Sequence, residues 1–146
     1  ERASVWTDEI DRASGMGGPS YTIDTLERMR GSGPAMPRRL LIGADQAAAF
    51  HRWRRFREVL TLAEPLVALR PPIQNIAALR GALAAVGVWS DGEVDEWIAR
   101  VLPAAVSPES STRVRAEIAR GGNADEWLTP GVASYIRERG LYRGDA

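Results

Sequence analysis

The chain has 146 residues, room for one domain with a real core, and its makeup is that of a globular protein, 45% apolar and 26% charged. Nineteen basic residues balance nineteen acidic ones, so no overall field points to nucleic acid or an anionic membrane surface, and any anion must be held by a local cluster. The absence of cysteine excludes disulfides and thiolate metal sites, the single histidine, His51, excludes a histidine-rich metal centre, and no apolar run approaches the roughly 20 residues of a membrane span.

The opening ERASVWTDEIDR reads as a strand already under way, with Ala3, Val5 and Thr7 alternating with polar neighbours before an acidic turn. A glycine-rich loop, ASGMGGPS, leads through Ser20 into a helix, YTIDTLERMRG, whose Ile23, Leu26 and Met29 share a face. Residues 31–37 break it. RRLLIGAD is an apolar run of strand length ending in Gly43 and Asp45. QAAAFHRWRRFREVLTLAE has a helical period, one short helix and then a longer one, and PLVALRPP is a second buried-strand candidate stopped by two prolines. The first half therefore predicts β-α-β-α-β, an α/β fold with a parallel sheet and covering helices.

The middle changes character. IQNIAALRGALAAVG repeats Ile73, Ile76, Leu79, Leu83 and Val86 at helical spacing and stops at Gly87. SDGEVDEWIARVL opens with Ser90 and Glu93 at the spacing of a capping box, and Val94, Trp97, Ile98 and Val101 form its apolar face. Together they predict a helical hairpin over residues 73–102, and VLPAAV is placed to return to the sheet. A helix opened by SST follows, and then PGVASYIRERGLY, with Pro130 at its start and Gly140 at its end.

Three places carry candidate chemistry. In open α/β sheets ligands sit at the carboxyl ends of the strands, and RLLIGAD delivers Gly43 and Asp45 to such an end. A glycine there lets the backbone approach a ligand, and a carboxylate accepts from ribose hydroxyls; Asp45 is equally placed to cap the next helix. SPESSTRVRAEIARG sets Ser110, Ser111 and Thr112 before a helix with Arg115 three residues beyond Thr112, on the same face. Such a helix start offers unpaired N–H groups to a phosphate, or is simply capped by serine beside a solvated arginine face. HRWRRFRE interleaves four arginines with Trp53 and Phe56, a pattern that binds single strands of nucleic acid in some proteins but also makes a solvated helix face. His51 has no evident partners for acid–base work.

In order and spacing, PSYTIDTL, LLIGADQ, FHRW, LVALRPP, SSTRVR and PGVASYIRERGLY resemble the bacterial nicotinate-nucleotide adenylyltransferases, over residues 4–142 apart from the hairpin. Each motif is short; their order is specific. The resemblance implies a Rossmann-like nucleotidyltransferase fold and transfer of the adenylyl group of Mg²⁺-bound ATP to nicotinate mononucleotide; composition and the lack of a membrane span or signal-peptide pattern lead to the expectation of the cytoplasm, with neither nucleic acid nor membrane as a partner. It implies that Gly43 and Asp45 line the nucleotide site, Asp45 at a ribose, while Ser110, Ser111, Thr112 and Arg115 hold ATP phosphates. Tyr21 and Thr22 would position the pyridine carboxylate and Trp53 would stack on the ring. Arg54 stands where the family often has an aromatic residue, and an arginine there would favour the acid over the amide.

Two departures accompany the resemblance. The family's first strand and its histidine-bearing phosphate loop, H-x-G-H, have no counterpart here, so the expectation is that residues 1–146 are the C-terminal part of one nucleotidyltransferase domain, with the sheet's first strands missing. The hairpin is longer than the family's usual connection, and is open to roles as a lid, a homo-oligomer contact or a passive elaboration. Other readings are phosphopantetheine adenylyltransferase, which SYT, Trp53 and the GLY ending disfavour, and a non-catalytic nucleotide-binding module. A nucleic-acid binder using Arg52, Arg54, Arg55 and Arg57 would show steeply salt-dependent affinity.

Overall fold

The computed structural model describes residues 5–16, 19–31, 37–103 and 111–143. The chain divides into two compact units, Glu1–Val106 and Ser107–Ala146.

The first unit is built on a parallel pair. Strand β1 (Arg39–Gly43) lies beside β2 (Glu64–Ala68), with Leu40 opposite Pro65 and Ile42 opposite Val67. Parallel neighbours need a crossover, and this one is made by α3 (Ala44–Ala48), a 3₁₀ turn at Phe50–Arg52, and α4 (Phe56–Leu62). The short-then-longer helical reading of this stretch is correct. Ile42 and Val67 face the core while Leu41, one residue before Ile42, points away and is exposed, as the two-residue period of a strand requires. Beyond β2, Val101 forms a parallel bridge with Val67, whose N–H donates to Arg100 O (2.9 Å) and whose carbonyl accepts from Leu102 N–H (2.8 Å). VLPAAV thus does return to the sheet at its first residue; its residues 104–106 lie outside the described part.

The expected opening strand is not there. Ala3 lies outside the described residues, residues 5–7 are irregular, and Val5 is 87% exposed. A strand persists only where a neighbour takes its backbone groups, and none does so here among the described residues. Instead of an acidic turn, helix α1 (Asp8–Met16) begins with Asp8, Glu9 and Asp11 in its first turn, where the helix dipole favours negative charge. Asp8 also accepts from Arg12 Nε (3.2 Å) and Arg28 Nε (2.9 Å), tying α1 to α2 (Thr22–Gly31). The first half therefore runs α-α-β-α-α-β. The glycine-rich loop is shortened too, its first residues being helical and Gly17 and Gly18 lying outside the described part. In α2, Ile23 and Leu26 are buried as expected, and Met29 in the last turn is exposed.

The hairpin forms as read. Helix α5 (Ile76–Ala85) starts at Asn75, whose side chain accepts from Ala78 N–H (2.8 Å). Helix α6 (Asp91–Ala99) starts with the capping box: Glu93 N–H donates to Ser90 Oγ (3.3 Å), and Ser90 N–H donates to Glu93 Oε2 (2.8 Å). Its apolar face enters the core of the first unit. Leu79, Leu83, Val94 and Trp97 are buried in one cluster with Ile23, Ile42, Phe50, Val59 and Val67. Ile76, also expected on that face, is largely exposed. At about 1.5–3 kcal/mol for each large apolar side chain removed from water, the hairpin is a main contributor to this unit's stability.

The second unit comprises α7 (Ser111–Ala119), a 3₁₀ turn at Asp125–Trp127 and α8 (Pro130–Arg139) around Val114, Ala124, Ala133 and Ile136. Pro130 opens α8, and Gly140 closes it at φ 60°, a left-handed conformation that glycine adopts without a Cβ clash.

Candidate functional site

Gly43 ends β1 and Asp45 sits in the first turn of α3, so the chain presents a carboxylate where the strand gives way to the helix. The side chain does not cap α3: Gly43 is the capping residue and no side chain bonds there. Asp45 instead meets Arg70, two residues beyond the end of β2. Arg70 Nε donates to Oδ1 (2.7 Å) and Arg70 Nη2 to Oδ2 (3.0 Å), while Gln46 Nε2 adds a third bond to Oδ2 (3.1 Å). A two-point guanidinium fork on a carboxylate is the strong form of this pair. The bonds from Arg70 outweigh partial burial and bring the Asp45 carboxyl down to about 2 from its ordinary 3.8.

The fork needs the glycine. A Cβ at position 43 would collide with Arg70 Nε and lie 2.5 Å from Asp45 Oδ1. Gly43 is therefore required by the close approach of a side chain and not by its own backbone, which is ordinary extended chain at φ −75° and ψ 155°.

A second cluster lies on the loop before α4. Trp53 is half-buried and stacks on Phe50, centroids 4.7 Å apart and planes 28° from parallel. Phe50 in turn meets the edge of Trp97, and Trp97 that of Trp89, so aromatic contacts run from the loop into the hairpin. Arg54 lies over the ring of Tyr21, 4.7 Å from its centroid, at the residue just before Thr22 opens α2. Next to it Arg55 takes φ 52°, uncommon for a residue with a side chain, and its guanidinium joins Glu27 (2.9 Å) on α2 to Glu58 on α4. This bracket fixes the path of the Trp53–Arg54 segment.

The arginines of HRWRRFRE are thus mostly committed within the chain. Arg55 is paired as described, Arg57 Nη1 bonds Glu93 Oε1 (2.7 Å), and Arg54 stacks on Tyr21. Trp53 and Phe56 are both half-buried, Phe56 against Trp89.

In the second unit Ser111 and Thr112 open α7, with Arg115 on the next turn, all three exposed; Ser110 lies outside the described residues. Arg113 is held over the Trp127 ring at 4.1 Å, which leaves Arg115 as the arginine near the helix start with no partner among the described residues. A cleft of about 610 Å³ opens elsewhere in this unit, lined by residues such as Ile118, Asn123, Asp125 and Arg137, and none of Ser111, Thr112 and Arg115 borders it.

The structure thus brings Gly43 to Asp45, and Tyr21 to Arg54 beside Trp53. Sequence reasoning missed Arg70, Phe50 and the Arg55 bracket. Arg70 carried a legible signal, an arginine just past the second strand's end beside two prolines; the left-handed Arg55 carried none.

No model of a known protein family matches the chain. Curated proteins do. It is 40% identical over 144 residues to the probable nicotinate-nucleotide adenylyltransferase of Stenotrophomonas maltophilia (strain K279a), covering 92% of this chain and 65% of that protein. Over 150 aligned residues it is 34% identical to the protein of the same name from Chromobacterium violaceum, covering 97% of this chain and 68% of that relative. The chain belongs to the nicotinate-nucleotide adenylyltransferase family. The likeness extends to Frankia alni, at 38% identity over 140 residues and 64% of that relative's length. The chain spans roughly two thirds of the length of these adenylyltransferases. Among the described residues no helix is long and apolar enough to cross a membrane, and no three or more His, Cys, Asp or Glu side chains gather as a metal site would require.

Proposed function

We propose that the chain serves transfer of the adenylyl group of ATP to nicotinate mononucleotide, giving nicotinate adenine dinucleotide and pyrophosphate. The observation that carries this reading is the Gly43–Asp45 turn, an ionised carboxylate at the carboxyl ends of adjacent parallel strands in a chain of this family. In the reaction a phosphate oxygen of the mononucleotide bonds to the α-phosphorus of ATP, and the bond from that phosphorus to the bridging oxygen of the β-phosphate breaks. Nothing is held covalently by the protein, so its contribution is alignment and charge stabilisation.

In this reading Asp45 accepts from ribose hydroxyls, and Gly43 allows the nucleotide close to the backbone. Ser110, Ser111 and Thr112 meet the triphosphate at the start of α7, where first-turn N–H groups lack helical partners, and Arg115 adds charge on the face of Thr112. Trp53, held from behind by Phe50, offers the rest of its ring to the pyridine. Tyr21 and Thr22 position the pyridine carboxylate, and Arg54, anchored on the Tyr21 ring, adds a cation that an acid would feel and an amide would not. Mg²⁺ would arrive on the triphosphate, since it holds most of its ligands as waters and phosphate oxygens. We read the sheet as part of a Rossmann-like fold and residues 73–102 as a hairpin inserted into it.

The test is pyrophosphate release from Mg-ATP with nicotinate or nicotinamide mononucleotide as acceptor. Release with the nicotinate form is expected, with Arg115→Ala raising the KM for ATP about tenfold. No release with either acceptor would sink the activity for this chain, and equal turnover of both would remove the role given to Arg54.

A further inference from the structure

We propose that Arg70 is a positioning residue of the nucleotide site, acting through Asp45: its fork fixes the orientation of the carboxylate and so the direction in which its remaining acceptor position meets ligand hydroxyls. This rests on the adenylyltransferase reading above. Three observations carry it. Arg70 and Asp45 come from the carboxyl ends of different strands, 25 positions apart in sequence, so their meeting is a product of the parallel register and not of local chain geometry. Both carboxylate oxygens are engaged by one rigid group, at 2.7 and 3.0 Å, which fixes rotation about the Cβ–Cγ bond in a way that a single contact cannot. And the backbone gives way to the pair: Gly43 leaves open the space that a Cβ would take from Arg70.

Geometry also says what remains for a ligand. An ionised carboxylate has about four acceptor positions. Arg70 takes one on each oxygen, Gln46 a second on Oδ2, and the backbone N–H of Asp45 also reaches the carboxylate, which leaves about one position for a ligand. The Asp45 side chain keeps 28% of its surface exposed, so the carboxylate is within reach of a ligand. A hydroxyl donor would therefore be received in a defined direction, and the low proton affinity of Asp45 keeps it an acceptor throughout the neutral range.

The experiment combines a double-mutant cycle with a titration. Mg-ATP affinity is measured for the wild type, Arg70→Ala, Asp45→Asn and the double variant, and the Asp45 carboxyl carbon is followed by NMR between about pH 3 and pH 6. If Arg70 acts through Asp45, Arg70→Ala weakens Mg-ATP about tenfold, while in the Asp45→Asn background it costs nothing further. The carboxyl signal stays flat in the wild type and titrates near its ordinary value in Arg70→Ala. Arg70→Lys, with charge but no two-point fork, keeps part of the low titration and regains only part of the affinity. Losses that add across the cycle, or a carboxyl that titrates identically with and without Arg70, would overturn the proposal. Should the wild type itself bind no Mg-ATP, the nucleotide reading fails on its own. The carboxyl titration then still decides whether Arg70 governs Asp45.

Discussion

Gly43→Ala separates the site from the fold. The backbone at Gly43 suits alanine, so the substitution introduces no dihedral strain. The new methyl would stand 2.7 Å from Arg70 Cζ, where ordinary contact begins at 3.4 Å, so the guanidinium must retreat by about 0.7 Å or more. Bonds of 2.7 and 3.0 Å lengthened by that much leave hydrogen-bonding range. The stability terms are small and opposed. An ion pair this open to solvent contributes at most about 1 kcal/mol, and replacing glycine at a compatible position returns about 0.4–1 kcal/mol through the unfolded chain. Urea denaturation should therefore place the variant within about 1 kcal/mol of the wild type at neutral pH. The carboxyl of Asp45 should rise from about 2 toward 3.8. The sign follows: a folded-state value below the unfolded one stabilises above about pH 3.8 and is lost as pH falls through about 2, so the variant loses this contribution without a new acid transition near neutrality. A loss above about 2 kcal/mol, or a carboxyl still titrating near 2, would refute the reasoning, since either would mean that something other than Arg70 yields to the methyl.

Two further outcomes follow from the hairpin. Trp97→Ala removes a fully buried ring that touches Phe50 and Trp89, and should cost about 3–5 kcal/mol by chemical denaturation, as well as loosening Trp53 through Phe50, read as a shift in tryptophan fluorescence. A loss under about 1 kcal/mol would show the hairpin to be peripheral to the core. Asn75→Ala removes the N-cap of α5 and should cost about 1 kcal/mol, with Asn75→Asp close to neutral; equal losses would point to a role other than capping.

Much of this protein was legible in its sequence because the signals are local. The capping box at Ser90 and Glu93, Pro130 and Gly140 at the ends of α8, and the two strand-length runs that became β1 and β2 all depend on residues within a few positions of one another. The motif order that identified the family is equally a property of the chain read in line. Where local pattern was too short to decide, it misled: Val5 and Thr7 alternate like a strand, but a strand exists only by its neighbour, and the acids that follow favour a helix start. The candidate site divides along the same line. Sequence alone determined Gly43 and Asp45 at a strand end, Trp53 and Arg54 side by side, and Ser111, Thr112 and Arg115 on one helix. Only tertiary structure decided that Asp45 pairs with Arg70 instead of capping α3, that Trp53 rests on Phe50, and that Arg55 bends left-handed to join two helices. Those contacts join residues far apart in the chain, and they exist because a parallel register and a shared apolar core bring distant segments to the same place.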